Sequence, residues 1–504
     1  MKNIHNFKVF LDFYCKKNNE NIFYISEDKN REVKYCQLLK ILKNFEFIFK
    51  KYGIKKNQKI LVILDNSIEL LLTFLSILYN NRVFIPINPN SGKSEIDYII
   101  KKTKPNFIIT NSDYENKIRY LKKIKKLIIT KKNFIKVLYS KKLLVKTVNF
   151  NGNKNVIAQI LFTSGSTGNP KGVMLTHRSM LKNLFDIHDA LKIEDINPRF
   201  LSITPLYHNN GQFIPTLLPI ILNGSTFTIS PDTSLVNFWP TCLKFNINYS
   251  SVMATHINYF NLQKKITNHR IKSLFCGGAK LDNISQRKFE KKFGIKVLCN
   301  YGLTETSSIA STESLHNKNF YYGSVGKSLK NNKIKIKKIK GKYGEILIKG
   351  ENVFKNYFGE KELTNSKLVN KWFSTGDLGY INKNNYLFVK DRLDNMVIVS
   401  GENVYPSEIE KYLINFKNIN LGIVSSIPDK ITQNKLILIY EGKKNLKYEE
   451  FYDFLKLKVS RHKIPKKIIN VKDLGINEIP KAPNKKILRK KISILLKENL
   501  LEVS

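Results

Sequence analysis

Cysteine is scarce in this sequence of 504 residues, and its few copies lie far apart. None of them forms a Cys-x-x-Cys pair, and the five positions are Cys15, Cys36, Cys242, Cys276 and Cys299. An odd, scattered set excludes a disulfide-stapled fold and a zinc site built on paired cysteines. The pattern instead indicates reduced thiols in a reducing compartment.

Long hydrophobic runs are also missing. The first residues, MKNIHNFKVFLDFYCKK, lack the apolar segment of a signal peptide. The most apolar stretch, FIPTLLPIIL at residues 213–222, contains two prolines and is too short to cross a bilayer. The final residues, LEVS, match neither a lipidation signal nor a peroxisomal signal. We therefore expect a cytoplasmic protein without a membrane span.

Acidic residues are outnumbered by basic ones, 40 against 86, which gives a formal net charge of +46. Such a charge can indicate a nucleic-acid partner. However, the excess is nearly all lysine and is spread over the whole chain, whereas nucleic-acid-binding proteins cluster their basic residues and use much arginine. We interpret the charge as a compositional bias and expect no nucleic-acid partner. The charge should still concentrate anionic substrates such as nucleotides.

A regular β-α alternation occupies the first part of the chain. KILVILDN (59–66) and VFIPINP (83–89) predict buried strands, and IELLLTFLSILYNN (68–81) and SEIDYIIKKTKP (94–105) predict helices. This alternation predicts an α/β fold with a parallel sheet covered by helices. The length of the chain predicts at least two domains.

The pattern changes from about residue 340, where short strand-like segments with turn residues predict an antiparallel β region. KIKIKKIKGK at 333–342 alternates lysine and isoleucine, which is typical of a half-exposed strand rather than an interaction patch. After Asp394 a small α+β pattern follows. We place a boundary there, with a large N-terminal domain at 1–393 and a small C-terminal domain at 394–504.

The segment LFTSGSTGNPKGVMLTH (161–177) combines glycines, hydroxyl side chains and Lys171 directly after an apolar strand. Glycines allow a loop to approach a polyanion, and free N–H groups, hydroxyls and a lysine can then bind phosphate oxygens. The segment does not match the Walker A pattern G-x-x-x-x-G-K-[ST]. A flexible surface loop is the alternative interpretation.

Four more segments contain candidate functional residues, and each has a structural alternative. In NYGLTETS (300–307), Tyr301 can stack on a base or belong to the core, and Glu305 can bind Mg²⁺ or cap a helix. In STGDLGYI (374–381), Asp377 can bind ribose hydroxyls or be a turn residue between glycines. The other two segments are VKDRLDNMVIVSGENVYPSEIE (389–410) and IPKAPNKKILRK (479–490).

The five segments together resemble, in order and separation, the adenylate-forming enzyme superfamily. This superfamily includes acyl- and aryl-CoA synthetases, adenylation domains of nonribosomal peptide synthetases and firefly luciferases, and the resemblance runs from about residue 20 to about residue 495. It implies a large N-terminal AMP-binding domain of parallel sheets covered by helices, with a β region. It also implies a small, mobile α+β C-terminal domain that contains the catalytic lysine.

The resemblance implies a role for each matching residue. The phosphate loop would hold the β- and γ-phosphates of ATP, Tyr301 would pack on adenine, and the ribose would lie against two charged residues. The ATP-binding set implied in this way is Thr163, Ser164, Gly165, Ser166, Thr167, Gly168, Lys171, Gly277, Gly278, Ala279, Tyr301, Asp377 and Arg392.

The resemblance also implies catalytic and pocket residues. Thr304 would contact the α-phosphate, Glu305 would bind Mg²⁺, and Lys486 would be the catalytic lysine. The acyl pocket would include His208 as a gate, Met253 and Gly278, and Asp394 would be the hinge between the domains. The sequence departs from the family pattern at Lys485, where a glycine is usual, and at Ser400, the first of two usual glycines.

The implied reaction is ATP-dependent activation of a carboxylic acid to acyl-AMP with release of pyrophosphate, followed by thioester formation with CoA. Positive charge from Lys486, Mg²⁺ and loop donors would offset the repulsion between the two anions. The segment YHNNGQF (207–213) contains no carboxylate to bind an α-amino group, so a fatty, aryl or other plain acid is favoured. Two alternatives stay open: a ligase that loads the phosphopantetheine of an acyl carrier protein, and a non-catalytic nucleotide- or nucleic-acid-binding protein.

Overall fold

A computed structural model of the chain describes residues 4–25, 32–129, 155–163, 170–228, 234–317, 320–395, 397–399, 402–429, 433–442, 446–481 and 487–501. The chain forms two compact units. The first comprises Met1–Lys337, Ile346–Thr375 and Tyr380–Val389, and the second comprises Lys338–Glu345, Gly376–Gly379 and Lys390–Ser504. The predicted boundary at Asp394 lies near the last of these junctions and stays a prediction.

The first unit contains a sheet that has seven strands among the described residues. Its spatial order is Asn356–Tyr357, Lys171–Thr176, Ile157–Thr163, Val83–Ile87, Lys59–Ile63, Phe107–Asn111 and Lys125–Ile129. The last five of these strands run parallel, and the first two pair in antiparallel fashion. The predicted strands near residues 59 and 83 are therefore confirmed as neighbours in a parallel sheet.

A second sheet of the same unit has nine strands within the described part of the chain. Its order is Lys327–Ser328, Ser311–Thr312, Lys296–Tyr301, Ser273–Cys276, Tyr249–Val252, Arg199–Ser202, Ser225–Thr228, Ile22–Ile25 and Glu32–Lys34. The six strands from Lys296–Tyr301 to Ile22–Ile25 run parallel. Their carboxyl ends therefore lie at one edge of the sheet, which is where ligands bind in open α/β sheets.

Helices cover these sheets, and several of them begin at a side chain that accepts a backbone N–H. Asn6, Ser67, Thr176 and Asp282 cap four helices in this way, as their short polar side chains favour. The α-helices of the first unit are Phe7–Lys17, Tyr35–Lys51, Ile68–Tyr79, Lys93–Thr103, Ser112–Glu115, His177–Leu191, Asn209–Gln212, Leu218–Ile221, Ser234–Lys244, Ala254–Leu262, Asn283–Phe293 and Lys361–Lys367.

Helix Ile68–Tyr79 is confirmed as a helix and is deeply buried. Nearly every one of its residues is buried. It packs between the helices Phe7–Lys17 and Tyr35–Lys51 and the strand Val83–Ile87, so apolar contacts surround it. Burial on all sides explains why its sequence is almost continuously apolar.

A third sheet has five strands among the residues that the structure describes. These are Asn332–Lys340, Tyr343–Gly350, Trp372–Ile381, Leu368–Val369 and Leu387–Arg392. The lysine and isoleucine segment forms the first strand, where Lys333, Lys335 and Lys337 are exposed and Ile334 and Ile336 pack on a core cluster. The predicted half-exposed strand is confirmed.

The turn predicted around Asp377 is wrong, because Trp372–Ile381 is one continuous strand of ten residues. Gly376 has a φ of 73°, which glycine adopts without steric cost. This glycine therefore accommodates a distortion inside a strand, and the chain continues instead of reversing.

The second unit has the predicted α+β character. Ile419–Asp429 pairs in antiparallel fashion with Gln433–Gly442, which pairs in parallel with Lys467–Asn470. Val397–Val399 pairs in antiparallel fashion with Glu402–Val404. The helices are Pro406–Leu413, Tyr448–Lys456 and Arg489–Leu501.

The five cysteines are free thiols, four of them buried, in agreement with the expected reduced state. The apolar stretch around residue 215 forms a π-helical turn, Phe213–Leu217, followed by the helix Leu218–Ile221, and both lie in the core. Within the described ranges, no helix is long and apolar enough to cross a membrane.

Candidate functional site

The loops after four parallel strands bring most of the predicted site residues of the first unit to one sheet edge. Gly277 follows the strand Ser273–Cys276, Met253 follows Tyr249–Val252, and Tyr301 ends the strand Lys296–Tyr301. His208 lies in the segment after the fourth strand, Arg199–Ser202. The parallel register of these neighbours therefore groups residues that lie far apart in sequence.

The two ends of the predicted phosphate loop lie opposite each other. Thr163 ends one strand and Lys171 begins the next, and the two residues are paired in an antiparallel register. Both side chains are half-buried. The residues between them, including the predicted Ser164, Gly165, Ser166, Thr167 and Gly168, lie outside the described residues. Their role stays a prediction.

The Gly277–Gly278 pair has the geometry of a backbone that a ligand can approach. A Cβ atom at Gly277 would lie 2.3 Å from Asn300 Oδ1, so any side chain would collide there. Gly278 has a φ of 80° and open space around it, and the adjacent Ala279 is exposed. Glycine is the residue that adopts such a backbone without strain.

Asn300 is a functional candidate that the sequence interpretation missed. Its Nδ2 atom is buried and has no hydrogen-bond partner among the residues described. Buried amide donors are rarely left unpaired in native proteins, so a ligand acceptor such as a purine nitrogen fits this position. Tyr301 beside it is 9% exposed and packs with Ala310 in a core cluster, which agrees with the core interpretation, and its contact with a base stays a prediction.

The segment after Tyr301 is held in a strained conformation. A Cβ atom at Gly302 would lie 1.7 Å from the Ser308 carbonyl oxygen, so only glycine fits. Ser307 has φ and ψ of 64° and −51°, and Ser308 N–H donates to Thr306 O across it. This three-residue turn is rare and strained for a residue other than glycine, and such strain is concentrated at functional sites.

Glu305 lies in the 3₁₀ helix Thr304–Thr306 with its carboxylate half-buried. Its Oε1 atom accepts a hydrogen bond of 2.7 Å from the Tyr357 hydroxyl, which orients the group. The start of this helix is capped by Thr306, whose Oγ1 accepts from Leu303 N–H. A threonine of the segment thus supplies the cap, and the role of Glu305 stays a prediction.

The donor set around Glu305 fits Mg²⁺. Over the described ranges there is no cluster of three or more histidine, cysteine, aspartate or glutamate side chains that could hold a metal ion. Mg²⁺ does not need one, because it is usually bound by one or two carboxylates together with phosphate oxygens and water. Glu305 and the Thr304 hydroxyl offer hard oxygen ligands of this kind.

His208 begins the short helix Asn209–Gln212. Burial lowers the pKa of His208 to about 4, so the ring is neutral near pH 7. Its Nε2 atom is buried and meets no hydrogen-bonding group in the described part of the chain, while the ring lies edge-on to Tyr207. The neutral state of the ring is compatible with the predicted gate, and that role stays a prediction.

Met253 is half-buried and directly precedes the helix Ala254–Leu262. Its backbone N–H donates to His256 Nδ1 at 3.3 Å. His256 therefore has a structural role at this helix end.

The second unit contains the predicted ribose-binding pair. Arg392 Nη1 lies 2.9 Å from Asp377 Oδ1, and the Asp377 side chain is 9% exposed. The arginine also covers Gly376, since a Cβ atom there would lie 3.0 Å from Nη2. The structure thus brings together two residues that are separated by 15 positions in sequence. Their contact with ribose stays a prediction.

The structure describes only part of the two segments that contain the predicted hinge and the predicted catalytic lysine. The backbone of Asp394 belongs to the 3₁₀ helix Leu393–Asn395. Lys486 and its neighbour Lys485 lie outside the described residues. The residues on either side of them are paired, because Lys481 forms a β-bridge with Ile487 and Leu488 N–H donates to Pro480 O.

Asn300, Ser307 and Tyr357 were not singled out from the sequence. Asn300 and Ser307 lie inside the NYGLTETS segment, which was a candidate functional segment. The neighbouring sequence, however, does not predict that Asn300 buries an unpaired donor or that Ser307 adopts a strained turn. Tyr357 is 52 residues from Glu305 in the chain, and no sequence pattern links the two.

The chain is similar to known proteins over most of its length. Residues 11–358 match the family model described as AMP-binding enzyme. A 2-succinylbenzoate–CoA ligase of Bacillus cereus (strain AH820) is 27% identical over 456 residues, covering 88% of this chain and 90% of the relative. The peroxisomal OPC-8:0-CoA ligase 1 of Arabidopsis thaliana is 25% identical, with coverage of 93% and 89%.

Solved structures share the fold. O-succinylbenzoate CoA synthetase from Bacillus subtilis, in complex with an acyl-adenylate intermediate, superposes with a TM-score of 0.85 at 23% identity, covering 96% of this chain and 97% of that one. ATP-bound MatB from Rhodopseudomonas palustris gives a TM-score of 0.86 at 21% identity, with coverage of 98% and 99%. The predicted α/β fold class is confirmed.

Proposed function

Because the chain belongs to the AMP-binding enzyme family, we propose that it is an AMP-forming acid–CoA ligase that acts on an aryl acid of the 2-succinylbenzoate type. The observation that supports the substrate class is the near full-length similarity to 2-succinylbenzoate–CoA ligases. The lack of a carboxylate in the segment around His208 supports an acid without an α-amino group.

In the proposed first half-reaction, a carboxylate oxygen of the acid attacks the α-phosphorus of ATP and pyrophosphate leaves. The Asp377–Arg392 pair would hold the ribose, and Asn300 with Tyr301 would hold the adenine. Lys171 and Lys486 would supply positive charge to the phosphates, because two anions must approach each other in the transition state. The protein contributes mainly position and electrostatic stabilisation, as in other phosphoryl chemistry.

Mg²⁺ would be held by Glu305, with Thr304 beside it, and would offset the negative charge of the phosphate oxygens. The Tyr357 hydroxyl would keep the Glu305 carboxylate in one orientation. We assign Tyr357 as a positioning residue, because it acts through Glu305.

In the proposed second half-reaction, the thiol of CoA attacks the acyl carbonyl and AMP leaves with the bonding electron pair. AMP is a far better leaving group than hydroxide, which is why the acid is activated first. We propose Asp394 as the hinge at which the C-terminal unit turns between the two steps, a type of motion that is common in multidomain enzymes.

The experiment is a measurement of pyrophosphate release from ATP and Mg²⁺ with 2-succinylbenzoate, benzoate, octanoate, palmitate and phenylalanine, each with and without CoA. We expect sustained release with the aryl keto acid only when CoA is present. One equivalent of release that CoA does not increase would instead indicate a carrier-protein acceptor. The absence of release with every acid would reject the proposed function.

A further inference from the structure

A group of polar side chains in the first unit lies next to His208 and takes no part in the adenylation chemistry proposed above. Its members are more than nine-tenths buried, and we name them the polar cluster: Gln159, Thr204, Asn209 and Gln212. One polar atom of each finds no hydrogen-bond partner in the described residues: Gln159 Oε1, Thr204 Oγ1, Asn209 Nδ2 and Gln212 Oε1. Native proteins rarely leave buried polar atoms unpaired, so four in one neighbourhood indicate a missing partner.

The cluster is held in place by the hydrogen bonds that its other atoms make. Gln159 Nε2 donates to Asn209 Oδ1 at 3.2 Å, and Gln212 Nε2 donates to the Leu206 carbonyl at 2.9 Å. Each amide group is therefore fixed at one atom while its other atom stays available. This is the arrangement of a preorganised binding site.

The backbone of the same segment is tightly packed. A Cβ atom at Gly211 would lie 2.3 Å from the Pro205 carbonyl oxygen, so the chain folds closely on itself there. Asn210 is fixed from the neighbouring strand, because Ser251 Oγ donates to its Oδ1 at 2.7 Å. These contacts make the cluster rigid, and a rigid site cannot easily satisfy its own polar atoms by rearranging.

The chemistry of the cluster selects a neutral polar group. It offers an amide donor from Asn209, amide acceptors from Gln159 and Gln212, and a hydroxyl from Thr204. The segments that build this region, residues 200–212 and 249–256, contain no lysine or arginine. A carbonyl or hydroxyl oxygen would pair with such a set, whereas a hydrocarbon chain would leave its atoms unpaired.

We propose that the polar cluster is a specificity site for a carbonyl or hydroxyl oxygen on the chain of the acid, separate from the carboxyl group that is adenylated. This inference rests on the proposed function and narrows its substrate class to oxygenated aryl acids. It excludes plain fatty acids as preferred substrates.

The test uses two acids that share one carbon skeleton, 4-oxo-4-phenylbutanoate and 4-phenylbutanoate. They differ by a single carbonyl oxygen. We expect kcat/KM for pyrophosphate release to favour the keto acid by about tenfold or more, because a site built for a hydrogen bond discriminates against an analogue that lacks it. Equal values for the two acids in the wild-type enzyme would overturn the inference while leaving the proposed function intact.

Two variants test whether the polar cluster causes the preference for the keto acid. Gln212→Met and Asn209→Leu should each bring the ratio of the two kcat/KM values close to one. Both acids are measured on one preparation, so the ratio does not depend on the fraction of protein that folds. A ratio unchanged from wild type in both variants would show that the cluster binds only ordered water and would reject the inference.

Asn332→Leu is the matched control. Asn332 is 6% exposed, similar to Asn209 at 7%, and its Nδ2 atom donates to the Ala310 carbonyl at 3.3 Å. This variant should lower stability but keep the wild-type ratio. If no acid, including 2-succinylbenzoate, releases pyrophosphate from the wild-type enzyme, the proposed function fails, and the inference fails with it.

Discussion

At the scale of single residues, the proposed chemistry depends most directly on Lys486. Its ammonium group is expected to act on charge that develops in the transition state rather than on bound ATP. Lys486→Ala should therefore lower the rate of pyrophosphate release by about 10²–10³-fold, the typical cost of removing one preorganised donor. ATP binding, measured by calorimetry, should change little.

Lys485→Ala is the control for this prediction, since Lys485 occupies the position where the family has glycine. It should retain adenylation, because alanine is small and the catalytic ammonium group remains. A variant at Lys486 that adenylates as fast as wild type would refute the assignment, and loss of activity only at Lys485 would transfer the role to that residue.

At the scale of an element, the strained segment from Tyr301 to Ser307 is anchored to the strand Asn356–Tyr357. Tyr357 donates to the Glu305 carboxylate, and Phe354 N–H donates to the Glu305 carbonyl at 2.7 Å. Tyr357→Phe should increase the Mg²⁺ concentration for half-maximal pyrophosphate release by about tenfold, because groups that orient a metal ligand affect metal affinity on this scale.

Tyr35→Phe serves as the comparison for this prediction. The Tyr35 side chain is also buried, but its hydroxyl contacts the carbonyls of Pro219 and Gly224 and not a carboxylate. It should reduce thermal stability without changing the Mg²⁺ requirement. An unchanged Mg²⁺ requirement in Tyr357→Phe would mean that Tyr357 does not position the metal ligand.

At the scale of the whole molecule, a buried histidine couples stability to pH. Burial lowers the pKa of His177 to about 3, and its Nδ1 atom accepts a hydrogen bond from Phe7 N–H, which requires the neutral ring. The unfolded chain takes up a proton near pH 6.5, whereas the folded chain does so only near pH 3. Acid therefore favours unfolding: the stabilisation is complete above pH 6.5 and is lost as the pH falls through this window.

His177→Gln should reduce this sensitivity to acid, because glutamine has no proton to gain and its carbonyl can still accept from Phe7. The decrease in unfolding free energy between pH 7 and pH 5 should be smaller by about 2 kcal/mol than in wild type. Urea unfolding at the two pH values measures this difference. His188→Gln, at a partly exposed histidine, should behave like wild type, and a wild-type decrease in His177→Gln would contradict the prediction.

Much of the fold could be predicted because it depends on local patterns. The apolar runs at 59–66 and 83–89 become neighbouring strands, and the lysine and isoleucine alternation at 333–342 becomes a half-exposed strand. Asp377 shows the limit of local reasoning. Glycines on both sides of it indicated a turn, but pairing with neighbouring strands kept the chain extended, and Gly376 only distorts the strand.

The sequence by itself determined the α/β class and the order of the motifs, because strand periodicity and glycine-rich loops are encoded within short windows. The reaction type was implied only by the resemblance that these motifs carry. Only the tertiary structure decided that Tyr357 contacts the Glu305 carboxylate, that Arg392 pairs with Asp377, and that Asn300 and the polar cluster contain buried polar atoms without a hydrogen-bond partner among the described residues. Each of these features depends on contacts between residues that are distant in sequence or on burial. Neither is a property of a short segment, so these features emerge only when the strands and helices have packed together.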